Sequence, residues 1–406
     1  MAEQNTKKSN KKMIISLAIL GIVFVATVVL LVMAKDIKNK EVVEKTLAPI
    51  TIKERSLTLN VGDTQKLTVE SGEDLTFKSS APEVATVDDK GNVTAVAKGN
   101  SMITISDGEQ TAYCGVLVGL QGAMVDISKQ KANVVFSEVP IFHFGEIIGF
   151  DYDAQDNAFY FSQRYAIGTY NTMKSDSMFT KVEKKDGSWQ RTESMQLYNH
   201  GYGYFGLDLT GEDVYLVTEA EGAYLDKGSA LAYLRWENNA MHNLEEGATW
   251  HFPDIEGSFS VKIDHANNLV IMRVEDKRES YYLLYNYDEF KNESEPQYLK
   301  KIVCASGQTP ANGVDDSQGR YSATLKGYAL HDGYIYQVSG ANRIYVSVFD
   351  LEGNLQYCHR VTDYPDLEFR RPGGIVFNDG KMYMAVSAGE TELYHANVWV
   401  FEGDNR

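Results

Sequence analysis

The chain has 406 residues, 43% of them hydrophobic, and a formal net charge of −17 from 39 basic and 56 acidic residues. That length accommodates two or three domains, and the acidic balance disfavours nucleic acid, which requires a basic surface, and attachment to an anionic wall by charge alone. Three cysteines, with no CxxC and no Cys/His spacing, exclude a disulfide scaffold and a zinc module.

Residues 1–12 read as a cytoplasmic tail in which Lys7, Lys8, Lys11 and Lys12 face only Glu3. Residues 13–34 hold no charged side chain and are dominated by Ile, Leu and Val. At about 1.5 Å per residue such a helix matches a hydrocarbon core roughly 30 Å thick, and the lysines keep the N-terminus inside. Val32-Met33-Ala34 leaves cleavage open, but the apolar run exceeds the roughly 7–15 residues of a signal core. The expectation is a single-pass protein of the cell membrane, a transmembrane helix with its bulk outside.

Residues 35–50 read as a stalk. From residue 51 to 118 apolar and polar positions alternate around turn residues: Leu57 to Val69 about Val61-Gly62-Asp63, then Phe77 to Val87, Asp89-Lys90-Gly91, Val93 to Val96, Gly99, and Met102 to Ile105. This series resembles the bacterial immunoglobulin-like (Ig-like) group 2 domain, with Phe77 where the family often has Trp. The resemblance implies a β-sandwich that acts as a spacer or adhesive module. Residues 119–140 read as a connector whose Val134-Val135-Phe136 is a candidate closing strand.

Between residues 149 and 386 one phrase recurs five times: a small residue, alternating apolar residues, a polar turn, and an apolar run around an anchor. The small residues are Gly149, Gly206, Ser260, Gly327 and Gly374, and their anchors are Tyr160, Tyr215, Ile271, Tyr336 and Tyr383. The offsets are 11, 9, 11, 9 and 9, one hairpin with a turn two residues longer in two copies. A second apolar stretch and turn follow each copy, as at Met178–Val182 before Lys185-Asp186-Gly187. Alternation bounded by Gly, Asn and Asp means hairpins, and a repeat of about 40–60 residues with several strands per unit predicts a β-propeller. A sandwich or β-helix with accidental repetition is the alternative. The predicted fold is therefore all-β: a transmembrane helix, one Ig-like sandwich, and a five-bladed β-propeller over residues 141–406.

The propeller wording also resembles the helveticin-J-like group, which includes teichoic acid biosynthesis protein C-like proteins and receptor-binding propellers of some tailed phages. The matching stretches are Ile148–Asp153 with Phe159–Gln163, Phe205–Asp208 with Tyr215–Glu219, Lys326–Leu330 with Tyr334–Tyr336, Val348–Gly353, and Arg371–Ile375. The resemblance implies recognition at a cell surface, of wall glycan or a teichoic-acid-like polymer, and in some members bacteriocin activity. Ile148 and Lys326 stand where the group often has Gln, and Gly373 where it has Glu, which puts an inherited ligand site in question.

Candidate ligand residues lie at strand ends: Gln163 and Tyr165 after the first hairpin, Glu219 after the second, Arg273 at the third, and Arg371 before the fifth. His200 and Tyr202, in Asn199-His-Gly-Tyr-Gly-Tyr204, place aromatic rings beside polar donors before an inner strand. Flat rings cover the apolar face of a pyranose, so the pattern suits sugar; His200 tying down its own loop is the alternative. No catalytic residue is assigned. Asp151, Asp208, Glu219 and Asp264 are the carboxylates a propeller glycosidase would need, but Asp151, Asp208 and Lys262 recur at equivalent repeat positions, and no nucleophile elbow, P-loop or HExxH exists. No metal site is assigned either; calcium held by oxygen ligands of the acidic loop Asn312–Gly319, around Asp315 and Asp316, is the alternative. The expected function is membrane-anchored binding of an envelope glycan or glycopolymer. A secreted bacteriocin-like effector, a propeller glycoside hydrolase and an envelope protein–protein scaffold are the alternatives.

Overall fold

The alternation beginning at residue 51 becomes a two-layer sandwich. One sheet orders Ser56–Leu59, Thr111–Val118, Gly99–Ser106 and Thr76–Ser79; the other orders Thr64–Lys66, Asn92–Ala95 and Ala85–Val87. A further pair joins Thr51–Ile52 to Val69–Ser71. The first sheet's edge strand, Ser56–Leu59, runs parallel to Thr111–Val118. Inward residues of both layers make one core from Leu57, Leu59, Ala85, Val93, Ile103, Ile105, Val116 and Val118, with half-buried Phe77 packed against it. This computed structural model describes residues 27–30 and residues 49–403 except 73, 142–144, 168–173, 198–203, 211–212, 220–228, 238–239, 244–248, 253–254, 256–257, 276–279, 294, 305–324, 341–342, 363–369 and 389–394. Of the apolar run at residues 13–34 it describes only a helical turn, in which Val28, Val29 and Leu30 are exposed. No helix among the described residues is long and apolar enough to cross a membrane.

The five phrases become five antiparallel sheets among the described residues. Their inner strands are Gly145–Asp153, Tyr204–Thr210, Ser258–Asp264, Leu325–His331 and Arg370–Asn378; we number the sheets 1 to 5 in that order. In every sheet the anchor of the second strand pairs with the residue two places after the small one: Asp151 with Tyr160, Asp208 with Tyr215, Lys262 with Ile271, Ala329 with Tyr336, and Val376 with Tyr383. The differing offsets are differences of turn. Sheets 4 and 5 use two-residue Asp-Gly turns with Asp332 and Gly333 at φ 48° and 73° and Asp379 and Gly380 at 48° and 71°, the left-handed pair that matches strand twist. Sheet 3 inserts the short 3-10 turn His265–Asn267.

Each inner strand packs against the next, and the first against the fifth, so the five sheets form a closed, propeller-like ring. The small residues allow this. A Cβ on Gly327 would lie 2.6 Å from the Cα of Gly374, and one on Gly374 would lie 2.7 Å from the Cβ of Phe150. Closure is completed by chain crossover: Gln130–Pro140, from the sequence-predicted connector, is the outermost strand of sheet 5 beside His395–Gly403. Its Phe136 reaches sheet 1, with ring centroids 5.6 Å from Phe159 and 5.3 Å from Trp189.

All three cysteines are free. Burial pushes the Cys114 and Cys304 thiols up to about 12. Cys358 is exposed, because its strand, Leu355–Arg360, is the outer one of sheet 4 and exposes alternate residues.

Gly327→Val is expected to destabilise the ring by about 1–3 kcal/mol, the cost of overpacking a filled site. Denaturant titration followed by tryptophan fluorescence reads this, since all four tryptophans lie in the ring sequence. An unchanged midpoint would show that the axis is not close-packed.

Candidate functional site

Pairing sets the geometry of the ring's two ends. The start of each inner strand lies beside the end of the second: Gly145 pairs with Tyr165, Tyr204 with Thr218, Ser258 with Glu275, Leu325 with Ser339, and Arg370 with Ala388. We call this the loop end; most of the longer connections that leave it lie outside the described residues. The opposite, turn end is closed by the tight hairpin turns.

Five of the seven ligand candidates sit on strands near the loop end: Gln163 and Tyr165 in Ala158–Ile167, Glu219 closing Asp213–Glu219, Arg273 in Leu269–Glu275, and Arg371 opening Arg370–Asn378. His200 and Tyr202 lie outside the described residues, as does the acidic loop Asn312–Gly319. Among the described residues no group of three or more His, Cys, Asp or Glu is arranged to hold a metal.

Burial separates these candidates. Arg371 is half-buried, and the neighbouring Arg370 and Lys326 are too. The three cations open the inner strands of sheets 4 and 5, which touch at Gly327 and Gly374. Gln163 and Arg273, in contrast, are 0% and 3% exposed. Arg273 ties sheet 3 to sheet 4. Its guanidinium donates to the Tyr282 hydroxyl at 3.2 Å and its main-chain N–H donates to the Tyr328 hydroxyl at 3.3 Å. Gln337 donates to the same Tyr282 hydroxyl at 2.8 Å, and Tyr328 donates to the Ser260 carbonyl at 2.6 Å. Burial pushes the Tyr282 phenol up to about 12 and Tyr328 higher still, so both stay neutral hydrogen-bonding groups. Sequence spacing alone did not reveal this network. Its only trace was Gln337 and Arg273 interrupting apolar second strands.

The carboxylates considered for hydrolysis sit at three levels of the ring. Asp151 and Asp208 share one register level on the inner strands of sheets 1 and 2, and Lys262 holds that level on sheet 3. Lys262 reaches across the ring to donate to the Phe150 carbonyl at 2.8 Å. Asp264 lies at the turn end, where it accepts from Asn267 N at 3.2 Å and Asn267 Nδ2 at 2.7 Å; burial raises its pKa despite those bonds. Glu219 is at the other end of the ring.

Residues 46–116 match the family of bacterial Ig-like domains (group 2). The sandwich is such a domain. The match covers well under half of the chain, and no curated protein matches the chain. The matched residues lie in the sandwich and do not extend into the ring. Among solved structures, the tail fiber of Staphylococcus aureus phage P68 is similar at 12% identity and a TM-score of 0.47, covering 69% of this chain and 54% of that one. The chain thus spans about half the length of that fibre. The GH43_1 enzyme from Xanthomonas citri is similar at 11% identity and a TM-score of 0.40, covering 64% and 89%. The Dos1 propeller is similar at 9% and 0.29, covering 79% and 68%.

Tyr282→Phe removes the acceptor shared by Arg273 and Gln337, and a buried donor without its partner costs about 1–3 kcal/mol. A fall of that size in unfolding free energy is expected; a neutral variant would mean that the network carries no stability. At the turn end, His331 stacks on Phe377 with centroids 4.2 Å apart, and burial lowers its pKa from 6.5 against the opposing pull of Asp332 and Asp264. A depressed imidazole contributes stability above its unfolded pKa and loses it as pH falls through the folded one. Unfolding midpoints at pH 7.5 and 5.5 should therefore differ, lower at 5.5, and His331→Phe should shrink that difference.

Proposed function

We propose that this chain is a membrane-anchored extracellular binding protein. Its ring is a five-bladed propeller whose loop end recognises a cell-envelope glycan or glycopolymer. The observation that carries the reading is the convergence of strand ends there: Tyr165 on sheet 1 and Lys326, Arg370 and Arg371 on sheets 4 and 5. Because the ring is closed, sheet 5 adjoins sheet 1 and the two groups share one sector. Three cations at adjoining strand starts, in a chain of net charge −17, are a local exception that suits an anionic glycopolymer such as a teichoic-acid-like chain. Membrane attachment rests on the uncharged run at residues 13–34 and the lysines before it.

A glycan and glycopolymer array probed with the protein tests this. Arg371→Ala is expected to weaken binding of an anionic polymer about tenfold, roughly 1.4 kcal/mol, with a steeper loss in the wild type as salt rises. Tyr165→Ala should weaken neutral and anionic ligands alike. Wild-type protein that binds no polymer would remove the reading, and release of shortened polymer would replace it with a hydrolase.

A further inference from the structure

We infer that the Ig-like domain is a rigid mount fused to the turn end of the ring, and that the two unfold as one body. Domains joined in a chain move relative to one another unless their interface is large and apolar, and a group 2 domain read from sequence alone is a spacer. Four independent features of the seam oppose that.

The first is backbone contact. Gly115, in the domain's last strand, has no room for a side chain, because a Cβ there would lie 1.9 Å from the Leu299 carbonyl oxygen of sheet 3. The second is a common core. Met102, Leu117 and Leu120 pack in one cluster with Leu269, Leu284 and Leu299, every one of them buried. The third is polar and fully used. Asn100, 5% exposed, donates to the carbonyls of Asn267 at 3.0 Å and Asn268 at 3.3 Å, while Asn286 donates to its Oδ1 at 2.7 Å. Beside it the buried Lys300 ammonium donates to Thr58 Oγ1 at 2.9 Å and pairs with the Glu352 carboxylate, which also accepts from Thr58 at 2.9 Å. Thus Thr58 of the domain completes an ion pair between sheets 3 and 4.

The fourth feature is the absence of slack between domain and ring. Gly122 N donates to the Asp332 carbonyl at 2.9 Å, and Gln121 Nε2 to the Tyr334 hydroxyl at 2.9 Å. Val125 N donates to the Tyr336 hydroxyl at 2.8 Å. Tyr357 donates to the Val125 carbonyl at 2.7 Å and accepts from Ile127 N at 3.0 Å. The connecting segment is strapped to three tyrosine hydroxyls before it enters sheet 5 as Gln130–Pro140.

The ring residues of this seam gather at the turn end: the turns at 265–268, 332–333 and 350–353, the segment 286–300 of sheet 3, and the strand residues Leu269, Leu284, Tyr334, Tyr336 and Tyr357 within a few places of those turns. The mount therefore holds the loop end facing away from the Ig-like domain. It does so whatever the loop end binds, so failure of the glycan reading leaves the inference standing.

The distribution of tryptophan supplies the test. Trp189, Trp236, Trp250 and Trp399 are all in the ring sequence, so their fluorescence reports the ring alone, while hydrogen exchange of amides 99–118 reports the Ig-like domain. In the full chain in detergent, both probes should give the same denaturant midpoint. Gly115→Val, a change in the Ig-like domain, should lower the tryptophan midpoint, and Asn100→Ala should lower it by a smaller amount. This holds even if Gly115→Val prevents the Ig-like domain from folding, because a spacer would leave the ring's midpoint where it was. Separate midpoints in the wild type, or a tryptophan midpoint untouched by both substitutions, would overturn the inference. A spin label on the exposed Cys358 paired with one on Glu109→Cys should give a single narrow distance distribution; a broad one would overturn the rigid geometry.

Discussion

The ring depends on how closely five inner strands can approach one another. Near the axis the inner strands of sheets 4 and 5 leave no volume for a side chain at one level, and Gly327 and Gly374 meet there backbone to backbone. That requirement explains why a small residue begins every repeat, and why the anchor of each second strand pairs at a constant distance from it. Once the axis is packed, the sheets fan outward and the space between them widens. Larger side chains fill it: Phe150, Phe159 and Phe161 between sheets 5 and 1, and Tyr282, Tyr328 and Phe349 between sheets 3 and 4.

A ring built this way needs a latch, because a linear chain leaves its first and last sheets joined only by packing. The latch here is hydrogen-bonded: residues 130–140 pair with 395–403, so sheet 5 contains strands from both ends of the ring sequence. The strand that closes the ring is also the continuation of the segment strapped across the turns of sheet 4. Closure and mounting of the Ig-like domain are therefore mechanically coupled, and the pairing that stabilises one stabilises the other.

Polar groups are distributed by the same geometry. In the turns, carboxylates such as Asp88 of the Ig-like domain and Asp350 and Asp264 at the turn end of the ring accept from backbone N–H groups and Asn side chains, as Asp-x-x-Gly-Asn does at residues 88–92 and again at 350–354. Such groups build turns and have little capacity left for a ligand. At the loop end, Arg273 is buried as a tie between sheets, and Arg371, Arg370 and Lys326 remain half-buried. Cations near the loop end thus differ in burial: Arg273 is enclosed between two sheets, while Arg371, Arg370 and Lys326 keep part of their surface accessible.

The sequence by itself determined the sandwich, the hairpin repeat and the end of the ring to which Gln163, Tyr165, Glu219, Arg273 and Arg371 belong. These follow from local periodicity: two-residue alternation, turn residues, and a small residue that recurs because every repeat meets the same axis. It also marked Val134–Phe136 as a closing strand. Tertiary structure alone decided that Arg273 and Gln163 are buried, that Cys358 is not, and that the Ig-like domain shares a core with sheets 3 and 4. Those outcomes depend on pairs such as Gly115 with Leu299, or Thr58 with Lys300, separated by far more than one repeat. No local pattern encodes such a pair, because each partner's own neighbourhood would look the same on an open surface.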